Sequence, residues 1–361
     1  MSDHPVRPLP ATIEEIDAAW LTAALRTNAP AATVNHAQIV DINHGTCTKI
    51  RMRLDLNEAA RRAGIPKLVM LKGGFEPHSH DMWHMHQSEV RGYRDVIPVL
   101  KLNSPACYFA DYDPERRQSI IIMEDLVARG VTFCHPLEPQ AYEPVARRLT
   151  MFARHHAKTW GSEELLPGGR WDWCTDIAAF SPAFFKQFFE PETWRRFLDS
   201  PRAAAASVHF NSQSWMAHAL DRMAILSAQL PHSVVHGDTH LGNLYVDPDG
   251  TPGFFDSLPK RAPAMLEIAY HVGGALDPLD RRRWERPLVQ HYLDELVQNG
   301  VTPPSIEEAM RQFGVFLVLG YLVFLFNESI FQTETINTAY TARFSTAMLD
   351  HDTIGLLDAI N

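Results

Sequence analysis

The sequence lacks several features that mark specialised classes of protein. Its four cysteines, Cys47, Cys107, Cys134 and Cys174, show no CxxC spacing, which argues against a zinc site and a disulfide framework. The N-terminus lacks the basic start and apolar run of a secretory signal. The longest apolar run, residues 313–326, has 14 residues, fewer than the roughly 20 of a membrane span. We therefore expect a cytoplasmic protein, no membrane partner and a buried core helix at 313–326.

The charge balance is acidic, and an excess of basic residues is absent. There are 43 acidic and 33 basic residues, a net charge of −10, which disfavours a broad nucleic-acid-binding surface. With 45% hydrophobic and 21% charged residues, the composition is that of a globular enzyme. A chain of 361 residues is long enough for two compact units.

The first 125 residues are predicted to be strand-rich. A first helix is predicted over residues 11–26, with Thr12 as its N-cap. Alternating apolar and polar residues predict two strands within 38–56, joined by a tight turn at Gly45 and Thr46. Further strands are predicted at 67–72 and 119–123, with a helix in the segment SEVRGYRDVIPVL between them.

Beyond residue 125 the pattern is mainly helical. Amphipathic segments lie around residues 139–159 and 212–229 and from residue 281 onward. A strand-turn-strand segment at 233–256 interrupts them, with DPDG as its turn. The sequence thus predicts an α+β protein, with a small antiparallel-sheet lobe at 1–125 and a larger helical lobe at 126–361.

The most informative segment is HGDTHLGN, residues 236–243. Phosphoryl transfer needs metal ions that bridge phosphates and a group that accepts the proton of the attacking hydroxyl. In the protein-kinase pattern a catalytic-loop Asp precedes a metal-binding Asn by five positions, and a second Asp follows on the next hairpin. Asp238, Asn243 and Asp256 have this arrangement, and oxygen ligands of these types suit Mg²⁺.

HGDTHLGN resembles the catalytic loop of aminoglycoside phosphotransferases, choline kinases and ecdysteroid-kinase-like proteins. The last group is the most similar, through FARHHAKTW at 152–160, YVDPDGTPGFFD, and the helical segment at 275–296. The resemblance extends over residues 38–330. It implies a protein-kinase-like bilobal fold and transfer of the γ-phosphoryl group of ATP, with Mg²⁺, to a hydroxyl of a small molecule.

The resemblance also implies a role for individual residues. Asp238 would be the base, Asn243 and Asp256 would hold magnesium, and Lys72 would contact ATP phosphates with Glu89 as its ion-pair partner. Backbone groups at the hinge between the lobes would bind adenine, and a short loop would cover the phosphates. The hinge residues are Met123, Glu124, Asp125 and Leu126, and the loop residues are Gly45, Thr46, Cys47 and Thr48. The nucleotide would thus be bound by residues 1–125, and the acceptor pocket would lie in 126–361.

Some positions depart from the family pattern or allow another interpretation. The loop at Gly45 has a single glycine, Ser257 stands where relatives carry an aromatic residue, and Glu267 replaces an Asp expected to brace the catalytic loop. Glu89 could pair instead with a neighbouring arginine. The histidine-rich segment with His78, His80, His84 and His86 allows a metal-site hypothesis, but we favour a solvated, mobile loop.

The acceptor and the reaction both leave alternatives open. Aromatic residues are dense in the helical lobe. They either line a pocket for an apolar, hydroxylated acceptor such as a steroid, which we favour as the acceptor, or simply fill the core. They are Trp171, Trp173, Phe180, Phe184, Phe185, Phe188, Phe189, Trp194 and Phe197. The acidic charge is also compatible with an amino sugar or a choline-like cation. Two rival functions are a catalytically silent kinase-like binding protein and a metal-dependent phosphate hydrolase.

Overall fold

A computed structural model describes residues 8–360, and these form two compact units. The first unit runs through Thr132 and includes two later segments, Asp247–Asp249 and Gly253–Leu258. The second contains the remainder of the chain. Residues 1–7 of the predicted N-terminal lobe lie outside the described residues. The functional division predicted at residue 125 stays a prediction.

The first unit is built on a five-stranded antiparallel sheet with the strand order β1-β2-β3-β5-β4. Its strands are β1 Val34–Asn43, β2 Thr48–Leu56, β3 Leu68–Gly73, β4 Cys107–Asp113 and β5 Gln118–Glu124. The strands predicted within 38–56, 67–72 and 119–123 are confirmed. β4 was not predicted, because its run CYFADYD carries acidic residues between its aromatic ones.

Within the described residues of this unit, five α-helices accompany the sheet. They are α1 Ala18–Arg26, α2 Glu58–Arg62, α3 Trp83–Arg91, α4 Ile97–Leu100 and α5 Leu126–Arg129. The prediction that Thr12 caps the first helix is wrong, because Asp17 does so, its carboxylate accepting the Trp20 N–H at 2.6 Å. The α-helix therefore begins at Ala18, after a short 3₁₀ turn.

The two faces of β5 are buried in different clusters. Ile120 and Ile122 pack into the main core of the unit, with Trp20 and Phe109. Ile121 and Met123 pack on the other face, against Val90 and Tyr93. Successive side chains of a strand point to opposite faces, so a strand covered on both sides has an unbroken apolar run. This explains the sequence SIIIM.

The second unit is mainly helical. Its helices are α6 Tyr142–Ala157, α7 Ile177–Phe185, α8 Pro191–Leu198, α9 Pro201–Ala204, α10 Gln213–Ala228, α11 Ala264–Ala275, α12 Pro278–Gln298, α13 Ile306–Phe326, α14 Glu334–Asp350 and α15 Thr353–Asp358. The short strands of the chain after Leu126 are β6 Thr132–Phe133, β7 His232–Val235, β8 Leu244–Val246, β9 Pro252–Phe254 and β10 Lys260–Pro263. β7 and β10 pair antiparallel. The predicted helices and the strand-turn-strand segment are confirmed.

α13 contains the longest apolar run of the sequence. It is long and apolar enough to cross a membrane, but 83% of its most apolar 18-residue window is buried inside the protein. α11 and α14 pack against it. The predicted core helix at 313–326 is confirmed, and α13 supports α11.

Candidate active site

The HGDTHLGN loop follows β7 and is held by one face of α11. Glu267, Tyr270 and His271 occupy positions i, i+3 and i+4 of that helix, which lie on the same side. Glu267 accepts the Gly237 N–H at 2.8 Å and the His236 N–H at 3.2 Å. His271 Nδ1 bonds the Thr239 carbonyl at 2.9 Å. The loop backbone is therefore fixed on both sides of Asp238.

Asp238 itself is held by two side chains. The Tyr270 hydroxyl donates to its Oδ1 at 2.9 Å, and Asn243 Nδ2 donates to its Oδ2 at 3.0 Å. The same Nδ2 lies 3.0 Å from the Asp238 carbonyl. These bonds fix the orientation of the Asp238 carboxylate, and they make the carbonyl oxygen of Asn243 the atom that can bind a metal.

Glu267 is the acidic residue that replaces the Asp expected to brace the loop. It is buried, and His156 Nε2 lies 2.9 Å from its Oε2, in addition to the two loop N–H groups. Burial raises the pKa of Glu267, but the hydrogen bond and charge of His156, the charge of His236 and the Gly237 N–H lower it, to about 2. The longer side chain therefore braces the loop directly, and the sequence departure does not remove this function.

Glu267→Gln is expected to destabilise the protein in a pH-dependent way. The folded pKa of about 2 lies below the ordinary value of 4.5, so the ionised carboxylate stabilises the fold above pH 4.5. This stabilisation is lost as the pH falls toward 2. We expect the variant to lose about 3 kcal/mol of unfolding free energy at pH 7. Urea unfolding, followed by tryptophan fluorescence at pH 7, 5 and 4, measures the loss.

The matched control is Glu143→Gln, at an exposed position in the first turn of α6. A surface change of this kind should shift the unfolding free energy by less than about 0.5 kcal/mol. The role of Glu267 as a brace would be contradicted by either of two results. One is a loss of unfolding free energy at pH 7 that is as small as that of the control, and the other is a loss that does not decrease below pH 4.5.

The first unit contains the predicted lysine–glutamate pair. Lys72 on β3 lies 2.6 Å from Glu89 on α3 and 2.9 Å from Asp256. Lys72 pairs in register with Ile121, which places it on the α3 face of the sheet. Burial lowers the pKa of Lys72, but the charges of Asp256, Cys47 and Glu89 raise it well above its ordinary value. Glu89 thus pairs with Lys72, and the role of the pair in nucleotide binding stays a prediction.

Lys49 is a residue of this cluster that we did not predict. It lies directly opposite Lys72 in the β2–β3 register, and its ammonium group lies 3.1 Å from Asp256 Oδ2. Burial raises the pKa of Asp256, but the two lysines together hold it well below its ordinary value. The sequence signal was the alternation of basic residues in KIRMRL, which places Lys49, Arg51 and Arg53 on one face of the strand.

The loop with Gly45 and Thr46 is tied to the histidine-rich segment. His78 Nε2 lies 3.0 Å from the Gly45 carbonyl, and His44 Nδ1 lies 2.8 Å from Glu76. The prediction of a mobile loop is wrong for residues 83–86, because α3 begins at Trp83 and His86 is buried. Burial, together with the charge of Lys72, lowers the pKa of His86 to about 4, so this ring is neutral at pH 7.

The predicted hinge residues end β5 and begin α5. Met123 is buried, and Glu124 lies 3.2 Å from Arg129. Asp125 caps α5 by accepting the Val127 N–H at 3.0 Å, and its other oxygen accepts from Arg51 at 2.6 Å. The carbonyl groups of Asp125 and Leu126 accept N–H bonds within the α5 turn. Each of these carbonyl oxygens can accept a second hydrogen bond, because a carbonyl oxygen has two lone pairs. Recognition of adenine by this segment stays a prediction.

Aromatic rings lie beside and beyond Asp238 in the second unit. Tyr270 stacks on Phe324, which stacks on Tyr340 with ring centroids 3.9 Å apart. His240 Nε2 lies 3.6 Å from Asp238 Oδ2 and 3.2 Å from Gln332 Nε2.

A second aromatic group, which we call the Phe326 cluster, forms around the last residue of α13. It consists of Phe326 and the rings that contact it, Phe185, Phe188, Phe189, Trp194 and Phe197. Phe185 and Phe197 are buried, whereas Phe188, Phe189 and Trp194 are half-buried. Part of the predicted aromatic set is therefore core, and part reaches the surface.

Residues 99–256 match the model of the phosphotransferase enzyme family. The matched segment includes the HGDTHLGN loop and ends at Asp256. No curated protein matches the sequence.

Solved structures show the same fold at low sequence identity. A choline kinase from Cryptosporidium parvum Iowa II has a TM-score of 0.54 and 11% identity, with 94% of this chain and 98% of that chain covered. A choline kinase from Streptococcus pneumoniae has a TM-score of 0.51 and 12% identity, with coverage of 88% and 94%. An amicoumacin kinase in complex with AMP-PNP and Ca²⁺ has a TM-score of 0.51 and 11% identity, with coverage of 87% and 88%.

The solved structures establish the fold of the protein. The predicted kinase-like α+β fold is confirmed by the solved structures. The family match over residues 99–256 supports the class of enzyme predicted from the sequence, a small-molecule phosphotransferase.

Proposed function

We propose that the protein transfers the γ-phosphoryl group of ATP, with Mg²⁺, to a hydroxyl group of a small, apolar molecule. The observation that carries this proposal is the bonding of Lys72 to both Glu89 and Asp256, at 2.6 and 2.9 Å. A buried lysine that two carboxylates hold in place is a preorganised contact for an anion, as nucleotide phosphates require. A phosphate hydrolase that used only the aspartates would have no need of it.

Asp238 is the proposed base. Tyr270 and Asn243 hold its carboxylate in one orientation, and an oriented acceptor group is what removal of a hydroxyl proton requires. Asp238 would accept the proton of the attacking hydroxyl as the oxygen–phosphorus bond forms and ADP leaves. His240, near the same carboxylate, would help to position the acceptor.

Asn243 and Asp256 are the proposed magnesium ligands. The two lysines keep Asp256 ionised. Because Asn243 Nδ2 is bonded to Asp238, the side-chain oxygen of Asn243 is left to bind the metal. Carboxylate and amide oxygens fit this hard cation. Bound Mg²⁺ would neutralise charge on the phosphates. The AMP-PNP and Ca²⁺ of the amicoumacin kinase structure support the pairing of nucleotide and divalent cation.

The acceptor is proposed to be an apolar, hydroxylated compound, as in the ecdysteroid-kinase-like proteins that the sequence resembles. The half-buried rings of Phe188, Phe189 and Trp194 in the Phe326 cluster support this choice, because such rings offer apolar surface to a ligand. Amino sugars and choline remain the alternatives to be tested. We place the reaction in the cytoplasm.

A panel assay tests the proposed function. The protein is incubated with ATP and Mg²⁺ alone, and then with steroids, amino sugars or choline, while ADP release is followed. We expect ADP release to increase with at least one steroid. An equal rate with and without acceptors would indicate a hydrolase, and no ADP release under any of these conditions would indicate a catalytically silent protein.

A further inference from the structure

We propose that Lys49 is a second phosphate-binding residue of the nucleotide site, and this inference rests on the proposed function. The first observation is the strand register. Lys49 and Lys72 lie directly opposite each other on β2 and β3, and both ammonium groups contact the same carboxylate, at 3.1 and 2.9 Å. The sheet thus presents two cations side by side on one face.

A pair of like charges directly opposite each other destabilises a sheet unless an anion lies between them. Asp256 is such an anion, with one carboxylate oxygen on each lysine. Its backbone φ of 54° lies in the left-handed region, which costs a non-glycine residue free energy. Because the fold keeps an aspartate in this strained conformation between two lysines, we interpret the group as a functional cluster and not as a chance surface ion pair.

The charges of the cluster separate the tasks of the two lysines. Lys72 and Lys49 carry two positive charges, and Glu89 and Asp256 carry two negative charges, so the four side chains are neutral together. Lys72 is buried against both carboxylates, whereas the Lys49 side chain is 36% exposed. Of the two lysines, Lys49 is therefore the one that a ligand can reach from solvent. In a nucleotide site that ligand would be the triphosphate group of ATP.

Lys49 also lies just after the loop that, by the family resemblance, would cover the phosphates. Only Cys47 and Thr48 separate it from Gly45 and Thr46. The Lys49 ammonium group can pass from the Asp256 carboxylate to a phosphate oxygen, with or without a metal ion, since a lysine side chain is long and flexible. Lys49 would then offset charge on the nucleotide while Lys72 stays with Glu89.

Nucleotide binding by the full-length Lys49→Met variant tests the assignment. We measure the Kd of ATP with Mg²⁺, of ATP with EDTA, and of adenosine, by isothermal titration calorimetry. Because a charge-assisted bond to phosphate is lost, the affinity for ATP should fall about tenfold or more, both with Mg²⁺ and with EDTA. Adenosine, which has no phosphate, should bind within about twofold of wild type.

Two further variants serve as controls for charge and fold. Lys49→Arg keeps the charge and should bind ATP within about threefold of wild type, because guanidinium also binds phosphate. Arg53→Met removes an exposed cation from the same strand face and should leave every Kd within about twofold. Each variant should unfold within about 3 °C of wild type.

The outcomes separate this inference from the proposed function. If ATP with EDTA binds Lys49→Met as tightly as wild type, Lys49 does not contact phosphate and acts only through Asp256, which overturns the inference and leaves the kinase proposal standing. An equal loss for adenosine and ATP would also overturn it. If wild-type protein binds none of the three ligands, the inference and the proposed function both fall.

Discussion

Asp238→Asn is expected to lower kcat about 10³-fold, because the variant removes the proposed base and keeps the shape of the side chain. The Kd of ATP with Mg²⁺ should stay within about threefold of wild type, since the base contacts the acceptor and not the nucleotide. Single-turnover kinetics and calorimetry measure the two quantities separately.

The matched control for this prediction is Tyr270→Phe. It deletes the hydroxyl that donates to Asp238 Oδ1 but keeps the carboxylate. A positioning residue should cost less than the base, and we expect a loss in kcat of about tenfold. If Asp238→Asn kept near-wild-type turnover, or lost no more than Tyr270→Phe, the role of Asp238 would have to be reassigned.

Asp256→Asn is expected to weaken the binding of ATP with Mg²⁺ by about 10- to 100-fold, because an amide cannot offset the charge of the cation as a carboxylate does. Binding of ATP with EDTA should be unchanged or tighter, since the variant removes a negative charge beside Lys49 and Lys72. Calorimetry in the presence and absence of Mg²⁺ measures both.

Asp249→Asn is the control for Asp256, since it alters an exposed aspartate in the preceding turn. It should bind ATP with Mg²⁺ within about twofold of wild type. A loss of affinity by Asp256→Asn that is the same with and without Mg²⁺ would show that Asp256 supports the fold of the cluster and not the metal.

The sequence predicted those parts of the site that follow from local spacing. Asp238 and Asn243 are five positions apart on one loop, and the bonds between them arise within that loop. The pairing of Lys72 with Glu89 followed from the family pattern, and the sheet register explains it physically. Lys72 lies on the α3 face because the strand alternates, so Glu89 is within reach.

Other parts of the site depend on contacts that sequence spacing does not specify. The bond from Tyr270 to Asp238 requires the docking of α11 on the loop, and the contact of Lys49 with Asp256 requires the register of β2 against β3. The i, i+3, i+4 pattern of Glu267, Tyr270 and His271 was readable as a polar face on an otherwise apolar helix. It would have identified the brace of the loop.

Local competition explains the errors in the fold. Thr12 and Asp17 are both capping residue types, and the α-helix begins after Asp17 because its carboxylate makes the capping bond. β4 lies at the edge of the sheet and is stabilised by pairing with β5. A strong strand pattern in its own sequence was therefore not required.

The central claim is that the γ-phosphoryl group of ATP moves to an acceptor hydroxyl with Asp238 as base. The most direct measurement follows the label of [γ-³²P]ATP with wild-type protein, Mg²⁺ and the acceptor that most stimulates ADP release. We predict that the label appears in the phosphorylated acceptor in a one-to-one ratio with ADP, and that Asp238→Asn forms this product about 10³-fold more slowly. Label that appears only as inorganic phosphate, at a rate independent of the acceptor, would contradict the claim.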